Sequence, residues 1–172
     1  MHLAYVMTQD RGATDRLLSA LAEHLQAQGT SIAGIVQTNT ECHDDALCDM
    51  DVRVLPKGET IRISQSLGPQ ARGCRLDPAA LEHAVAQVTN SLHATPLPEV
   101  LIVNKFGKHE ADGRGMRPVI GEAMALGIPV VSGVNKMNVD AFKEFSDGLA
   151  VAVEPSVEAL INWLTTAQQP EI

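Results

Sequence analysis

Hydrophobic residues along this chain form short runs that alternate with amphipathic stretches. Aliphatic runs without a helical period predict strands buried on both faces, and these runs lie at residues 3–7, 31–37, 100–103, 130–134 and 149–153. Apolar residues at helical spacing between the runs predict helices that begin near residues 15, 77, 116, 138 and 156. The alternation of strands and helices predicts a three-layer α/β domain with a mainly parallel sheet.

Two short alternating segments interrupt this pattern between the second strand and the second helix. They cover residues 51–55 and 60–64, and Pro56-Lys57-Gly58 between them has the composition of a turn. We predict a β-hairpin, inserted in the sheet or placed at its edge, whose inward side chains are Val52, Val54, Ile61 and Ile63 and whose outward ones are Arg53 and Arg62. No repeat or linker divides the chain, so we expect one domain over residues 1–172.

The composition excludes several classes of partner. Among the 172 residues, 13 basic and 21 acidic side chains give a net charge of -8, which argues against nucleic acid as the main partner. An odd number of cysteines, three, and the lack of an apolar run near membrane-spanning length predict a cytoplasmic protein with reduced thiols and no membrane association. The composition is compatible with a homo-oligomer.

A cationic loop that follows the strand at 100–103 is the main functional lead. Its basic residues are Lys105, Lys108, His109, Arg114 and Arg117, and they alternate with Gly107, Gly113 and Gly115. Ligands of open α/β sheets bind beside loops that leave the carboxyl ends of the strands, and glycines allow the backbone to approach a ligand. The loop therefore predicts a site for a small anion. The alternative is a solvated turn whose cations pair with Glu110, Asp112 and Glu122.

A second polar segment, Arg72 to Arg75, is predicted to complete this site. Two arginines beside Cys74 favour the thiolate form of an exposed thiol, and guanidinium groups bind oxyanions bidentately. We expect a cleft between the loop at 105–117 and the segment at 72–75. In this cleft Lys105, Lys108 and Arg114 would supply charge, Gly107 would give room for the ligand, and Arg72, Cys74 and Arg75 would contact its oxygens.

The remaining cysteines leave two interpretations open. Cys42, His43 and Cys48, joined in space by Cys74, offer thiolate and imidazole ligands for a metal, although their spacing matches no zinc signature. The alternative is that these cysteines have only a structural or incidental role. A metal-handling or partner-binding adaptor is therefore a further functional hypothesis.

The loop after the first strand lies where a phosphate-binding loop would lie. A Walker A sequence needs two glycines separated by four residues and then Lys and Ser or Thr, because main-chain amides and the lysine enclose the phosphates. This loop has only Gly12, and Asp10 and Asp15 add negative charge. A connecting loop is the preferred interpretation.

Several segments together resemble an uncharacterised bacterial family that is distantly similar to small P-loop nucleoside triphosphatases. They are Cys48-Asp49-Met50-Asp51, Ile61-Arg62-Ile63-Ser64-Gln65, Leu67-Gly68, Arg72-Gly73-Cys74-Arg75-Leu76-Asp77, Leu101-Ile102-Val103-Asn104-Lys105-Phe106-Gly107-Lys108, Glu110-Ala111 and Gly113-Arg114-Gly115. The resemblance implies a P-loop-like scaffold. Members of the family are often encoded near molybdate-transport genes, which implies a tetrahedral oxyanion such as molybdate as a ligand.

One departure from those enzymes affects the expected chemistry. Gly107, Lys108 and Glu110 match the sequence that follows their Walker B strand, but Asn104 and Lys105 stand where the enzymes have an acidic pair. Walker B carboxylates hold magnesium and orient water, so an amide and an ammonium remove the metal's partners. We therefore expect a non-hydrolysing cytoplasmic protein that binds an oxyanion or a nucleotide phosphate. The alternative is a divergent nucleoside triphosphatase with Glu110 as general base.

Overall fold

A computed structural model describes residues 2–10, 12–39, 49–65 and 75–168. In these segments the strands are β1 (Leu3–Val6), β2 (Ile32–Asn39), β3 (Met50–Leu55), β4 (Thr60–Arg62), β5 (Val100–Phe106), β6 (Val130–Val134) and β7 (Val151–Ala152). The helices are α1 (Ala13–Ala27), α2 (Pro78–Leu92), α3 (Lys108–Ala111), α4 (Arg117–Ala125), α5 (Val139–Phe145) and α6 (Val157–Ala167). None of the helices in these segments is both long and apolar enough to cross a bilayer.

The strands form one sheet with the order β4-β3-β2-β5-β6-β1-β7. Five of them run parallel through the pairs β2–β5, β5–β6, β6–β1 and β1–β7, while β3 and β4 pair antiparallel at one edge. The mainly parallel sheet is thus confirmed. The carboxyl ends of β1, β2, β5 and β6 lie together at one edge of the sheet, where the turn into α1 also lies.

Helices cover both faces of the sheet and complete the three predicted layers. One core joins α1 and α6 to the sheet through residues such as Leu21, Leu160 and Ile102. The core on the other face joins α2, α4 and α5 to residues such as Val103. Because β5 is central, its aliphatic side chains are buried on both faces, which explains the unbroken apolar run of Val100 to Val103.

The predicted hairpin is confirmed as an edge element. β3 pairs with β2 on one side and β4 on the other. Val52, Val54 and Ile63 are buried in the core under α2, and Ile61 is partly buried against it. Arg62 is exposed and donates a 2.9 Å hydrogen bond from Nε to Asp51 Oδ1 across the strand pair.

Two elements differ from the predictions. The segment after β5, predicted as a loop, contains the one-turn helix α3, and its Glu110 accepts a hydrogen bond from the main chain at the helix start. β7 has only two residues of the predicted five, and both are exposed at the edge of the sheet. Neither difference changes the layer order. Helix α2, by contrast, begins as predicted, because the Asp77 side chain accepts hydrogen bonds from the N–H groups of Ala79 and Ala80.

Candidate functional site

A β-bulge shapes the carboxyl end of β5. Val103 pairs with Ser132 of β6, but Phe106 pairs with Val134, so β5 holds one residue more than its partner between those positions. Asn104 and Lys105 occupy this bulge. A bulge redirects side chains, and here Asn104 is 3% exposed while Lys105 is exposed to solvent. The two adjacent residues therefore differ in their surroundings, since Asn104 is in the protein interior and Lys105 is in solvent.

Asn104 is the centre of a polar network that joins β5, β2 and α1. Its Oδ1 accepts a 3.0 Å hydrogen bond from the N–H of Gln37, and its Nδ2 donates a 2.9 Å bond to Asp15 Oδ1. The other oxygen of Asp15 accepts a 2.9 Å bond from Asn39 Nδ2. A Cβ atom at Gly133 would collide with the carbonyl oxygen of Asn104, so β6 also packs tightly here. The carboxylate of Asp15 thus has two amide partners.

Lys105 and Lys108, the lysine pair, both extend their side chains into solvent. Both side chains are exposed, and neither forms an ion pair with a carboxylate in the described part of the chain. The Lys105 stem crosses Gly107, where an added Cβ would lie 3.2 Å from Lys105 Cε. Gly107 therefore leaves room for the lysine that the sequence predicts as a ligand-binding residue. Both ammonium groups are therefore available to an anion.

Glu110 holds the segment that carries these lysines. Its side chain is 5% exposed, Oε2 accepts a 3.0 Å bond from the N–H of Gly107, and Oε1 accepts a 3.2 Å bond from the N–H of Met116. Gly115 has a φ of 59°, and a Cβ there would collide with the Glu110 carboxylate. The glycine at this position accommodates the carboxylate. Glu110 is the general base in the enzyme alternative, and both of its carboxylate oxygens accept hydrogen bonds from the main chain.

Arg114 and Arg117 lie apart from the lysine pair. Arg117 donates a 3.2 Å bond to the carbonyl oxygen of Ala111 and lies 4.9 Å from the ring centre of Phe145, so it fixes the end of α3. Arg114 lines a pocket of about 430 Å³ between α2 and the segment that joins α3 to α4. Its nearest carboxylate is Asp112, at 3.9 Å.

Arg75 lies at the hairpin edge, separated from β5 by β2 and β3. Its side chain is 14% exposed, Nε donates a 3.0 Å bond to the carbonyl oxygen of Gln65, and Nη2 lies 3.5 Å from Asp49 Oδ1. These contacts give Arg75 a structural role beside the hairpin. Arg72, Cys74, Cys42, His43 and Cys48 lie outside the described residues. Within the described residues, no group of three His, Cys, Asp or Glu side chains is placed to hold a metal ion.

Clear pKa shifts in the described segments belong to surface groups on or near the hairpin. Hydrogen bonds from His83 and then Gln87 lower the pKa of Glu59. A hydrogen bond to Asp51, followed by the charge of Asp49, raises the pKa of Arg62. Both shifts belong to exposed ion pairs.

The family described as "Protein of unknown function (DUF2478)" matches residues 3–163 of this chain. The chain belongs to that family. It is also 31% identical over 161 residues to the "Molybdenum import ATP-binding protein ModC 2" of Bradyrhizobium diazoefficiens. The match covers 94% of this chain but only 18% of that protein, so the chain spans less than a fifth of its relative's length.

Solved structures show the same fold. A human cancer-related nucleoside triphosphatase matches with a TM-score of 0.66 and 16% identity over 100% of both chains. THEP1 from the hyperthermophile Aquifex aeolicus matches with a TM-score of 0.65 and 15% identity, over 98% of this chain and 100% of its own. This member of the DUF2478 family therefore has the fold of small P-loop nucleoside triphosphatases, as the sequence resemblance implied.

The start of α1 carries part of a Walker A sequence. In a Walker A loop the last glycine is followed by Lys and Ser or Thr at the start of a helix. Here Gly12, with a φ of 74°, immediately precedes α1, and Ala13 and Thr14 follow it in the sequence where that motif has Lys and Ser or Thr. Thr14 Oγ1 lies 2.7 Å from Thr8 Oγ1. The short sequence Gly12-Ala13-Thr14 is thus a partial match to the Walker A motif, without its first glycine and its lysine.

Proposed function

We propose that this protein binds a phosphate-like oxyanion, free or as part of a nucleotide, and does not hydrolyse it. The observation that carries the proposal is the hydrogen bond between Asn104 and Asp15 at the end of β5. An amide replaces the magnesium-binding carboxylate, and Ala13 replaces the lysine that would reach the terminal phosphates. The two oxygens of Asp15 accept hydrogen bonds from the amides of Asn104 and Asn39, which compete with a magnesium ion for this carboxylate.

Lys105 and Lys108 support the choice of an anion. They flank Gly107 at the carboxyl end of a central strand, and they have no carboxylate partner in the described segments. The one carboxylate buried beneath them, that of Glu110, accepts two main-chain hydrogen bonds. In a protein of net charge -8, two exposed ammonium groups without ion-pair partners in the described segments favour a small dianion over a large anionic surface.

Molybdate is our candidate for this dianion. The relative that is 31% identical to this chain is named as a molybdenum import ATP-binding protein. The matching segment makes up 18% of that relative's length, so most of the relative lies outside the match. We infer that this chain holds the oxyanion beside such an import protein. Tetrahedral oxyanions of similar size, phosphate and sulfate, are the competing ligands.

Isothermal titration calorimetry of the purified chain tests the binding. Molybdate, phosphate, sulfate and ATP are titrated into the natural sequence and into variants Lys105→Ala, Lys108→Ala and Lys57→Ala. We expect a molybdate signal that each of the first two variants weakens about tenfold, since one charge-assisted contact is lost. Lys57 lies in the hairpin turn and serves as the matched control. An absence of heat with all four compounds, or equal losses in the control, contradicts the proposal.

Release of inorganic phosphate distinguishes binding from the hydrolase alternative. The protein is incubated with ATP or GTP and with magnesium or manganese, and phosphate is measured against a heat-denatured sample. We expect no turnover with either nucleotide. Metal-dependent release that Glu110→Gln abolishes would support a divergent nucleoside triphosphatase instead.

A further inference from the structure

The pocket between α2 and the segment joining α3 to α4 is separate from the lysine pair. Its volume is about 430 Å³, which lies within the usual range of small-molecule sites. Apolar side chains form its walls, and these are Pro78, Ala79 and Val85 from α2 and Pro118 from α4. Lys105 and Lys108 do not line it. The pocket is therefore a candidate for a different ligand.

One side of the pocket carries a fixed carboxylate. Glu82 Oε1 accepts a 3.0 Å bond from the N–H of Gly115 and lies 3.3 Å from His109 Nε2. The His109 side chain is 9% exposed, so the pair is anchored against α3. The Glu82 side chain is half exposed, and its Oε2 has no partner within the described segments. This second oxygen is placed to accept a hydrogen bond from a ligand.

The opposite charge comes from Arg114. Its side chain is 62% exposed, and its one ion contact among the described residues is with Asp112 at 3.9 Å, which is long for a charge-assisted hydrogen bond. A guanidinium in this state presents several N–H groups to a carboxylate. The lining of the pocket thus combines an acidic group, a basic group and apolar side chains.

We propose that this pocket binds a small zwitterion, an α-amino acid with an apolar side chain. The ammonium group donates to Glu82 Oε2, the carboxylate accepts from Arg114, and the side chain packs against the prolines and Val85. Glu82 and Asp112 oppose a simple anion, and Arg114 opposes a simple cation, so the two charges together set the specificity. This site does not depend on the proposed oxyanion function, because its charged residues are different.

Three related compounds test the need for both charges. L-Leucine carries both groups, 4-methylpentanoate lacks the ammonium, and 3-methylbutylamine lacks the carboxylate. Binding of each is measured by ligand-observed NMR with the full chain. We expect leucine to bind about tenfold more tightly than either of the others, since each charge-assisted contact contributes about that factor. Equal affinities for the three compounds, or no binding of leucine, would overturn the proposal.

Two variants assign the contacts. Glu82→Gln keeps an oxygen for the N–H of Gly115, and it should remove the advantage of leucine over 4-methylpentanoate. Arg114→Gln should remove the advantage of leucine over 3-methylbutylamine. Glu158→Gln and Lys57→Gln, exposed residues of other elements, are the matched controls and should bind leucine as the natural sequence does.

Two further measurements separate this inference from loss of folding and from the oxyanion site. Thermal unfolding shows whether each variant is folded, and molybdate titration of Arg114→Gln reports on the lysine pair. We expect both to remain unchanged. Folded variants that keep their full affinity for leucine would overturn the inference. It is also overturned if Arg114→Gln abolishes the molybdate signal, because the pocket would then be part of the oxyanion site.

Discussion

Two regions at the carboxyl edge of the sheet handle their polar groups in opposite ways. At the start of α1, Asp15 forms hydrogen bonds with Asn104 and Asn39 and uses both of its carboxylate oxygens within the fold. In the segment after β5, Glu110 is satisfied within the fold, but Lys105 and Lys108 point to solvent without a carboxylate partner among the described residues. The first region uses its polar groups within the fold, and the second presents positive charge to solvent. This contrast supports the proposed binding of an anion.

Removal of the carboxylate beneath the lysines should have the largest effect. Glu110→Ala leaves the N–H groups of Gly107 and Met116 buried without partners, and each such group costs roughly 1–3 kcal/mol. We expect the free energy of unfolding in urea to fall by about 3 kcal/mol. Glu122→Ala, which removes a surface contact with His93, should cost less than about 1 kcal/mol. Equal costs in the two variants would show that Glu110 does not brace the segment.

Loss of the Asp15 carboxylate at the start of α1 should have a smaller effect. Asp15→Ala removes the acceptor for the amides of Asn104 and Asn39, but Asp15 is half-buried, so water replaces part of the lost bonding. We expect a loss of about 1.5 kcal/mol in the free energy of unfolding, measured in urea. Glu23→Ala, an exposed position of the same helix, is the control. An unchanged stability of Asp15→Ala would mean that the network is not formed in solution.

The sequence predicted the fold well because strands and helices depend on local patterns. The aliphatic run at 100–103 and the N-cap at Asp77 each identified an element from a few neighbouring residues. β7 was predicted too long because an edge strand of two residues leaves little periodic signal. The helix α3 was missed for a similar reason, since one turn between glycines reads as a loop.

The candidate site was harder to predict because its contacts are distant in sequence or depend on side-chain direction. The bond between Asp15 and Asn104 joins residues 89 positions apart, and no local pattern connects them. Lys105 and Arg114 are close in the sequence, yet Lys105 lies over Gly107 while Arg114 lines the pocket beside α2. Residue types in the loop predicted its charge. They did not show that Glu110 would be buried or that Arg75 would bond within the hairpin edge.

Ionic strength should separate the two regions. Exposed ammonium groups are screened by salt, since the Debye length falls from about 10 Å at 0.1 M to about 3 Å at 1 M. We expect molybdate affinity, measured by calorimetry, to fall roughly fivefold over that range. In Lys105→Ala the dependence on salt should be shallower, because one charge is absent. An affinity that does not change with salt would place the bound anion away from the lysines.

Restoration of the missing lysine should have the smallest effect. Ala13→Lys recreates the sequence Gly-Lys-Thr at the start of α1, yet Asn104 still provides no carboxylate for magnesium and Asp15 still places a negative charge in the turn. We expect ATP affinity to change less than about twofold and turnover to remain absent, because several defects must be corrected together. Phosphate release and calorimetry measure the two quantities. Magnesium-dependent turnover in this single variant would show that the region is open to nucleotide and that only the lysine is missing. The variant Ala13→Lys with Asn104→Asp sharpens the test, since activity that appears only there would show that the carboxylate missing at position 104 is required as well.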